Sequence, residues 1–334
     1  MTTTRNIFNC FCLPFKTKQQ TIYNDDFNGI MPNNNEIENK YKITPILSIK
    51  YDPYSIKERI GEGGTSVVFH YNTGKIDCAC KKIKTNISNV RNEINIMKTY
   101  SNHKHLPKYY DSLLNQSEKL SKCLQYSYIF MEYCQGVELF TLLKSHFCYK
   151  LATKIIYQLL TAIVHLQKFN IIHGDIKLEN IIIDRKNNIK LIDFGISKQI
   201  IDGNAISLKK HSGTIGYVSP EWLLFNYVTL KTDIWSVGIL YFILLNNSHV
   251  FNSIDLQVYK SQLKKSDSLD WSEILQIYNK TVPCRQHETI YAFLHKTICY
   301  DKERYTVKKC LRNKIFADYS NSNSNSNSNS NRVV

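Results

Sequence analysis

Three side chains in one short run, and a fourth a little further on, could together move a phosphoryl group. Asp175, Lys177 and Asn180 lie in Ile171-Ile172-His173-Gly174-Asp175-Ile176-Lys177-Leu178-Glu179-Asn180-Ile181-Ile182-Ile183-Asp184, and Asp193 follows in Lys190-Leu191-Ile192-Asp193-Phe194-Gly195. Transfer of a phosphoryl group to a hydroxyl needs a carboxylate to orient the nucleophile, cations to absorb charge, and oxygen ligands for a metal. Asp175 can supply the first and Lys177 a cation near the phosphate. Asn180 and Asp193 are hard oxygen ligands of the kind Mg2+ takes alongside phosphate oxygens. Each aspartate alone reads equally well as a turn residue or a helix cap; their joint spacing does not.

Two earlier segments could hold the rest of a nucleotide. Ile60-Gly61-Glu62-Gly63-Gly64-Thr65-Ser66-Val67-Val68 sets glycines between two apolar strands, so backbone amides can approach a phosphate without Cβ interference. Taken alone this is a weak signal, since glycine hairpins are common. In Lys75-Ile76-Asp77-Cys78-Ala79-Cys80-Lys81-Lys82-Ile83, strand alternation puts Ala79 and Lys81 on one face and Lys82 on the other. An ammonium at Lys81 can hold phosphates while a glutamate from the next helix, Glu93, fixes its position. The short interval between the two requires a tight connection.

The elements that must carry these groups are legible from periodicity. From Ile56 to Tyr133 apolar runs are short and broken by Gly61, Gly63, Gly64, Gly74 and Pro107, which predicts a small sheet. Val90, Ile94 and Met97 recur at helical spacing beside Glu93. After Leu139 helices dominate: Leu151–Phe169 carries Ile155, Ile156, Leu159, Leu160, Ile163 and Leu166 on one stripe, and Ile234–Leu245 is apolar nearly throughout, as a helix buried on all sides should be.

Bulk composition sets the remaining bounds. The chain has 334 residues, 43% hydrophobic and 21% charged, ordinary values for a globular protein with a sizeable core. No apolar run approaches the roughly 20 residues of a membrane span, and no secretory signal is read at the N-terminus. Ten cysteines without a repeating framework suit a reducing compartment, so an intracellular, cytoplasmic location is expected. Cys78 and Cys80 lack the second pair that zinc would need. Residues 1–50 carry six Lys or Arg against four Asp or Glu, and the tail after Phe316 is neutral, so nearly all of the +15 charge belongs to the body between them. A solvated, lysine-rich surface is the preferred reading of that charge, and no nucleic-acid partner is expected. Residues 1–50 read as a polar, disordered leader, and 318–334 as a disordered Ser/Asn tail.

With these motifs in place, the chain resembles the eukaryotic protein kinase family from about Tyr54 to Phe316. The family's H-R-D-x-K-x-x-N loop stands as His173 to Asn180, D-F-G as Asp193 to Gly195, and A-P-E as Ser219-Pro220-Glu221, with Glu221 expected to pair with Arg304. Thr232-Asp233-Ile234-Trp235-Ser236-Val237-Gly238 resembles the start of the family's central buried helix. The resemblance implies a bilobal α+β fold: a small lobe over 51–133 with a five-stranded antiparallel sheet and one helix, and a larger, mainly helical lobe over 134–317. It implies ATP and Mg2+, with Mn2+ as a substitute, and it assigns site roles. Asp175, Lys177, Lys81 and Glu93 would be catalytic, and Asn180 and Asp193 the metal ligands. Ile60, Gly61, Glu62, Gly63, Gly64, Thr65, Ser66 and Val68 would cover the nucleotide. Val68, Ala79 and Ile182 would sandwich the adenine beside Met131 as gatekeeper, backbone groups of Glu132 and Cys134 would bond the base, and Glu138 would contact the ribose. Lys177, together with the threonine of Gly213-Thr214-Ile215-Gly216-Tyr217, marks the Ser/Thr-specific branch, with Ser/Thr hydroxyls of proteins as acceptors.

Departures from the family pattern carry further expectations. Ser66 replaces the third glycine of the phosphate loop. Gly174 replaces the arginine that would pair with a phosphorylated activation segment, so activity independent of such phosphorylation is expected. Gly216 and Ile243 stand where relatives selecting basic substrates carry acids, which mildly favours acidic or neutral substrate contexts. Cys10 and Cys12, among aromatics and lysines, could be acylated and touch a membrane, although a plain leader is preferred. The rivals are a pseudokinase scaffold, which would have lost one of Lys81, Asp175 or Asp193, and a small-molecule or lipid kinase, against which Ser219-Pro220-Glu221 and Gly213-Thr214 count.

Overall fold

The computed structural model describes residues 21–22, 49, 51–84, 87–118, 121–144, 147–201, 205–208, 212–251, 255–264 and 282–319. The Cys10/Cys12 segment and the Ser/Asn repeat lie outside the described residues. Thr21–Ile22 (β1) is a short strand within the leader. The small lobe is built on Ile56–Glu62 (β2), Ser66–Asn72 (β3), Asp77–Lys84 (β4), Tyr109–Glu118 (β5) and Ser121–Met131 (β6), an antiparallel sheet in the order β2-β3-β4-β6-β5. Ile87–Tyr100 (α1) packs on it through Val90, Ile94 and Met97, all buried.

The central strand shows how period-2 alternation divides the lobe. Cys78 and Cys80 point into a cluster with Ile49, Tyr71, Tyr128 and Phe130, whereas Ala79 and Ile83 join the core shared with the helical lobe. Lys81 falls between those two and so faces inward. Burial pushes both thiols up to about 12, which leaves them inert, small apolar packing. Packing begins before residue 51, since Ile49 is buried and its amide donates to Asp111.

In the larger lobe, Val137–Glu138 (β7) leads to Tyr149–Gln167 (α2), whose buried face is the predicted stripe. Short strands follow: Ile171–Ile172 (β8), Ile181–Ile183 (β9), Ile189–Leu191 (β10), Lys198–Gln199 (β11), Ile206–Ser207 (β12) and Gly213–Thr214 (β13). Pro220–Phe225 (α3), Tyr227–Val228 (β14) and Thr232–Asn246 (α4) come next. Every residue of α4 from Thr232 to Leu245 is buried, and Asn247 ends it in the left-handed conformation, φ 53°. The packed lobe extends to Tyr319, whose ring stacks on Tyr157 and whose hydroxyl donates to Lys150 O. Among the described residues no helix is long and apolar enough to cross a membrane.

Candidate active site

The loop after β8 is fastened from beneath before it presents any chemistry. Asp233, in the first turn of α4, accepts the amides of His173 (2.8 Å) and Gly174 (2.9 Å). The His173 ring is fully buried, and burial holds its pKa below the usual value. As a neutral tautomer its Nδ1 accepts from the Asp175 amide and its Nε2 donates to Ile192 O. Phe194 packs edge-on against it at 5.1 Å, and Ser197 Oγ donates to His173 O. Gly174 adopts φ +83°, and a Cβ placed there would lie 2.9 Å from the Trp222 ring. No side chain fits at this position without displacing that indole, which accounts physically for the missing arginine.

Asp175 is buried with its carboxylate fully engaged. Thr214 Oγ1 donates to Oδ1 at 2.6 Å, while Lys177 Nζ (2.7 Å) and Asn180 Nδ2 (2.9 Å) meet Oδ2. Lys177 also donates to Thr214 Oγ1 at 2.9 Å, which closes a triangle of carboxylate, ammonium and hydroxyl. Burial works to lower the Lys177 pKa, but Asp175 overrides it and keeps the ammonium charged.

Above this triangle, Lys81 Nζ lies 2.6 Å from Glu93 Oε1 and 2.8 Å from Asp193 Oδ1. Lys81 and Glu93 thus meet despite their short separation in sequence. Burial opposes the Lys81 charge, yet Asp193 and Glu93 together raise its pKa above the ordinary value. Lys82 instead rests over the Tyr126 ring at 4.0 Å. Asp193 has φ +67°, a left-handed backbone that few non-glycine residues adopt and that tends to be kept at functional sites. Burial works to raise its pKa, but Lys81 and the Gly195 amide more than offset this and hold it well below the carboxylate range.

The donor set fits a hard divalent cation. Asn180 commits its Nδ2 to Asp175, which leaves Oδ1 as an acceptor, and Asp193 Oδ2 has no partner among the described residues. Two hard oxygens, one of them firmly ionised, suit Mg2+ completing its shell with phosphate and water.

The residues expected to face a nucleotide lie on or beside β2, β3, β4, β6, β7 and β9. Gly63, Gly64 and Thr65 form the exposed tip between β2 and β3, with the Gly63 amide on Ser66 O (2.8 Å) and Thr65 O accepting from Lys84. Ile60, Gly61 and Glu62 end β2; Ser66 and Val68 start β3. Val68 is opposite Lys81, and Ala79 opposite Met131, in the sheet register. After Met131, the Glu132 amide donates to Lys108 O and its carboxylate pairs with Lys190 at 2.7 Å. The Cys134 thiol, pushed up to about 12 by burial, contacts Glu132 O at 3.6 Å, and its amide has no partner among the described residues. Gly136 is pressed against Ile183 O, and Glu138 pairs in register with Ile182.

The expected pair between Glu221 and Arg304 is bidentate and buried, 2.6 and 2.9 Å. Three supporting residues were not anticipated in these roles: Asp233 under the loop, Trp222 over Gly174, and Lys190 on Glu132. Only Asp233 left a trace in the sequence, as a lone acid opening an otherwise apolar helix.

Residues 54–316 match the protein kinase domain family. Aurora kinase of Saccharomyces cerevisiae is 35% identical over 226 residues, covering 64% of this chain and 58% of that protein. Serine/threonine-protein kinase kin-29 of Caenorhabditis elegans is 30% identical over 274 residues (78% and 30%), and calcium-dependent protein kinase 5 of Plasmodium berghei is 30% identical over 307 residues (87% and 48%). The chain thus spans less than two thirds of the length of these relatives. The family match covers most of the chain, and the sheet and helices have the architecture that the family implies: this chain belongs to the protein kinase family.

Proposed function

We propose that the chain transfers the γ-phosphate of ATP to serine and threonine hydroxyls of proteins, using Mg2+, or Mn2+ in its place. The observation that carries this reading is the triangle of Asp175, Lys177 and Thr214. Asp175 orients the acceptor hydroxyl and receives its proton. Lys177 stabilises charge on the phosphoryl oxygens, and Lys81, positioned by Glu93, holds the phosphates behind it. A divalent ion on Asn180 and Asp193 would supply further charge neutralisation when bound. The glycine loop covers the phosphates. Met131, Val68, Ala79 and Ile182 line the base, the backbone of Glu132 and Cys134 bonds it, and Glu138 serves the ribose.

Two finer points belong to the same reading. Gly174 has no side chain with which to grip an activation-segment phosphate, so activity does not depend on phosphorylation of Ser207 or Ser212. Gly216 and the buried Ile243 offer no carboxylate to a basic substrate, so acidic or neutral contexts are favoured. The test is a peptide array with Ser, Thr and Tyr acceptors in varied contexts. Labelled Ser and Thr with Tyr at background supports the reading; Tyr labelled equally, or a requirement for upstream Arg, contradicts it.

A further inference from the structure

A cleft of about 1560 Å³ opens beside the connection between the lobes. Its walls are residues 132–137, one face of α2, the hairpin from β9 to β10, and the loop at Lys104 and His105. None of Lys81, Asp175, Asn180 and Asp193 lines it. The walls are braced against one another. Gln158 Nε2 donates to Asn187 O (2.8 Å), its Oε1 accepts from the Ile189 amide (3.0 Å), and Lys154 Nζ donates to Lys186 O (3.1 Å). A Cβ on Gly136 would collide with Ile183 O, so the connection is seated directly on β9. A cleft fastened in this way is formed before anything enters it, which spares a ligand the cost of ordering it.

The charge of the cleft is one-sided. Lys104, Lys154, Arg185, Lys186 and Lys190 line it against Glu132 and Asp184. Both carboxylates are already engaged. Glu132 holds Lys190 at 2.7 Å and the Lys108 amide at 3.1 Å, and Asp184 accepts the amides of Lys186 (2.7 Å) and Asn188 (2.8 Å). Lys104, Arg185 and Lys186 are exposed, and none of their side chains meets a carboxylate among the described residues. His105 registers the same field: burial first, and then Lys104, Lys190 and Lys154, hold its pKa down at about 4 against the bond from its ring to Ile189 O. Apolar surface accompanies the cations, in Val137 (46% exposed), Leu142, and Tyr157 stacked on Tyr319.

We propose that this cleft docks an acidic, extended segment of a protein substrate, with carboxylates on Lys104, Arg185 and Lys186 and an apolar side chain against Val137 and Tyr157. The inference rests on the kinase reading above and extends its preference for acidic contexts to a surface away from the acceptor. A few free cations beside an apolar strip suit a short peptide, whereas a nucleic acid would need a longer basic track with open rings for its bases. A segment held here makes the meeting of its own hydroxyl with Asp175 intramolecular. It raises the local concentration of the acceptor without altering the chemical step. Docking therefore lowers KM and leaves kcat unchanged.

The test uses the full chain, MgATP and peptides that share one Ser/Thr acceptor site. One peptide is plain; the others carry a segment alternating Glu and Leu on Gly/Ser linkers of about 10, 20 or 30 residues. The best tailed peptide should show a KM about tenfold below that of the plain one at equal kcat, an advantage that shrinks as salt rises. Arg185→Glu with Lys186→Glu should remove the advantage and leave kcat and KM for the plain peptide as in the wild type. Arg185→Lys with Lys186→Arg should keep it. Fluorescence anisotropy of the labelled Glu/Leu segment alone, without nucleotide, should give the same order of binding. No advantage at any linker length, an advantage that survives the charge reversal, or equal binding of a Lys/Leu segment overturns the inference and leaves the kinase reading standing. Tighter binding of an oligonucleotide of equal charge, lost on the same reversal, overturns it in favour of nucleic acid. Binding of the Glu/Leu segment with no transfer to any peptide overturns the kinase reading, and with it the substrate role of the segment, but not the acidic occupant of the cleft.

Discussion

Thr214 donates a 2.6 Å hydrogen bond to Asp175, two residues 39 apart in the chain that meet only because the segment after Asp193 folds back over the loop. The bond fixes the carboxylate rotamer and places a neutral donor where a second carboxylate would repel. Lys177 touches both members, so the three side chains act as one unit.

Thr214→Ala should therefore lower kcat by about tenfold to a hundredfold, the value of a hydrogen bond to a charged group, with KM for ATP little changed. Thr214→Ser should recover most of the loss. Steady-state kinetics on the three proteins checks this.

Lys81 and Lys82 are neighbours with opposite fates. Lys81→Met removes an ammonium held by Glu93 and Asp193 and should cost about 10²–10³ in kcat/KM. Lys82→Met removes a cation that rests over Tyr126, away from Glu93 and Asp193, and should leave catalysis intact. Equal losses from the two would reverse the assignment.

The candidate groups stood out in the chain because close spacing in one loop leaves little freedom: Asp175, Lys177 and Asn180 share one loop, and Asp193 follows the next hairpin. A small sheet and the buried α4 followed from apolar periodicity, whereas the number of strands came with the family resemblance. Contacts between distant segments were legible only where the family resemblance implied them, as for Glu221 and Arg304. Trp222 over Gly174 and Lys190 on Glu132 depend on packing between elements whose types, but not mutual placement, a pattern reveals. The pairing of Thr21 with Thr214 left no trace either, since a two-residue strand is too short for alternation to mark and its partner lies far along the chain, within the larger lobe.

Gly174 combines a positive φ with an indole at 2.9 Å from any added Cβ. Gly174→Ala should destabilise the fold by about 2–4 kcal/mol, the sum of backbone strain and overpacking. Chemical denaturation monitored by Trp fluorescence gives the value; a change below about 0.5 kcal/mol would show that the loop relaxes freely.

The Glu221 carboxylate and the Arg304 guanidinium link α3 to the end of the chain in a site closed to water. Burial works to raise the Glu221 pKa, but Arg304 outweighs it and the net direction is down. The folded value lies below the unfolded value of about 4.3, so this contribution is complete above that pH and is lost as pH falls through the folded pKa. Glu221→Gln leaves Arg304 uncompensated and should cost about 3–5 kcal/mol at neutral pH. It should also flatten the stability profile below pH about 4. Urea titrations at a series of pH values test both statements.

The most direct test of the whole account is transfer of radiolabelled phosphate from MgATP to a generic protein by the wild type and by Asp175→Asn. The substitution keeps the shape of the side chain and its contact with Thr214 but cannot accept the acceptor proton. Robust transfer by the wild type and transfer at background by a folded, ATP-binding Asp175→Asn is the predicted result. Equal transfer by both would contradict it.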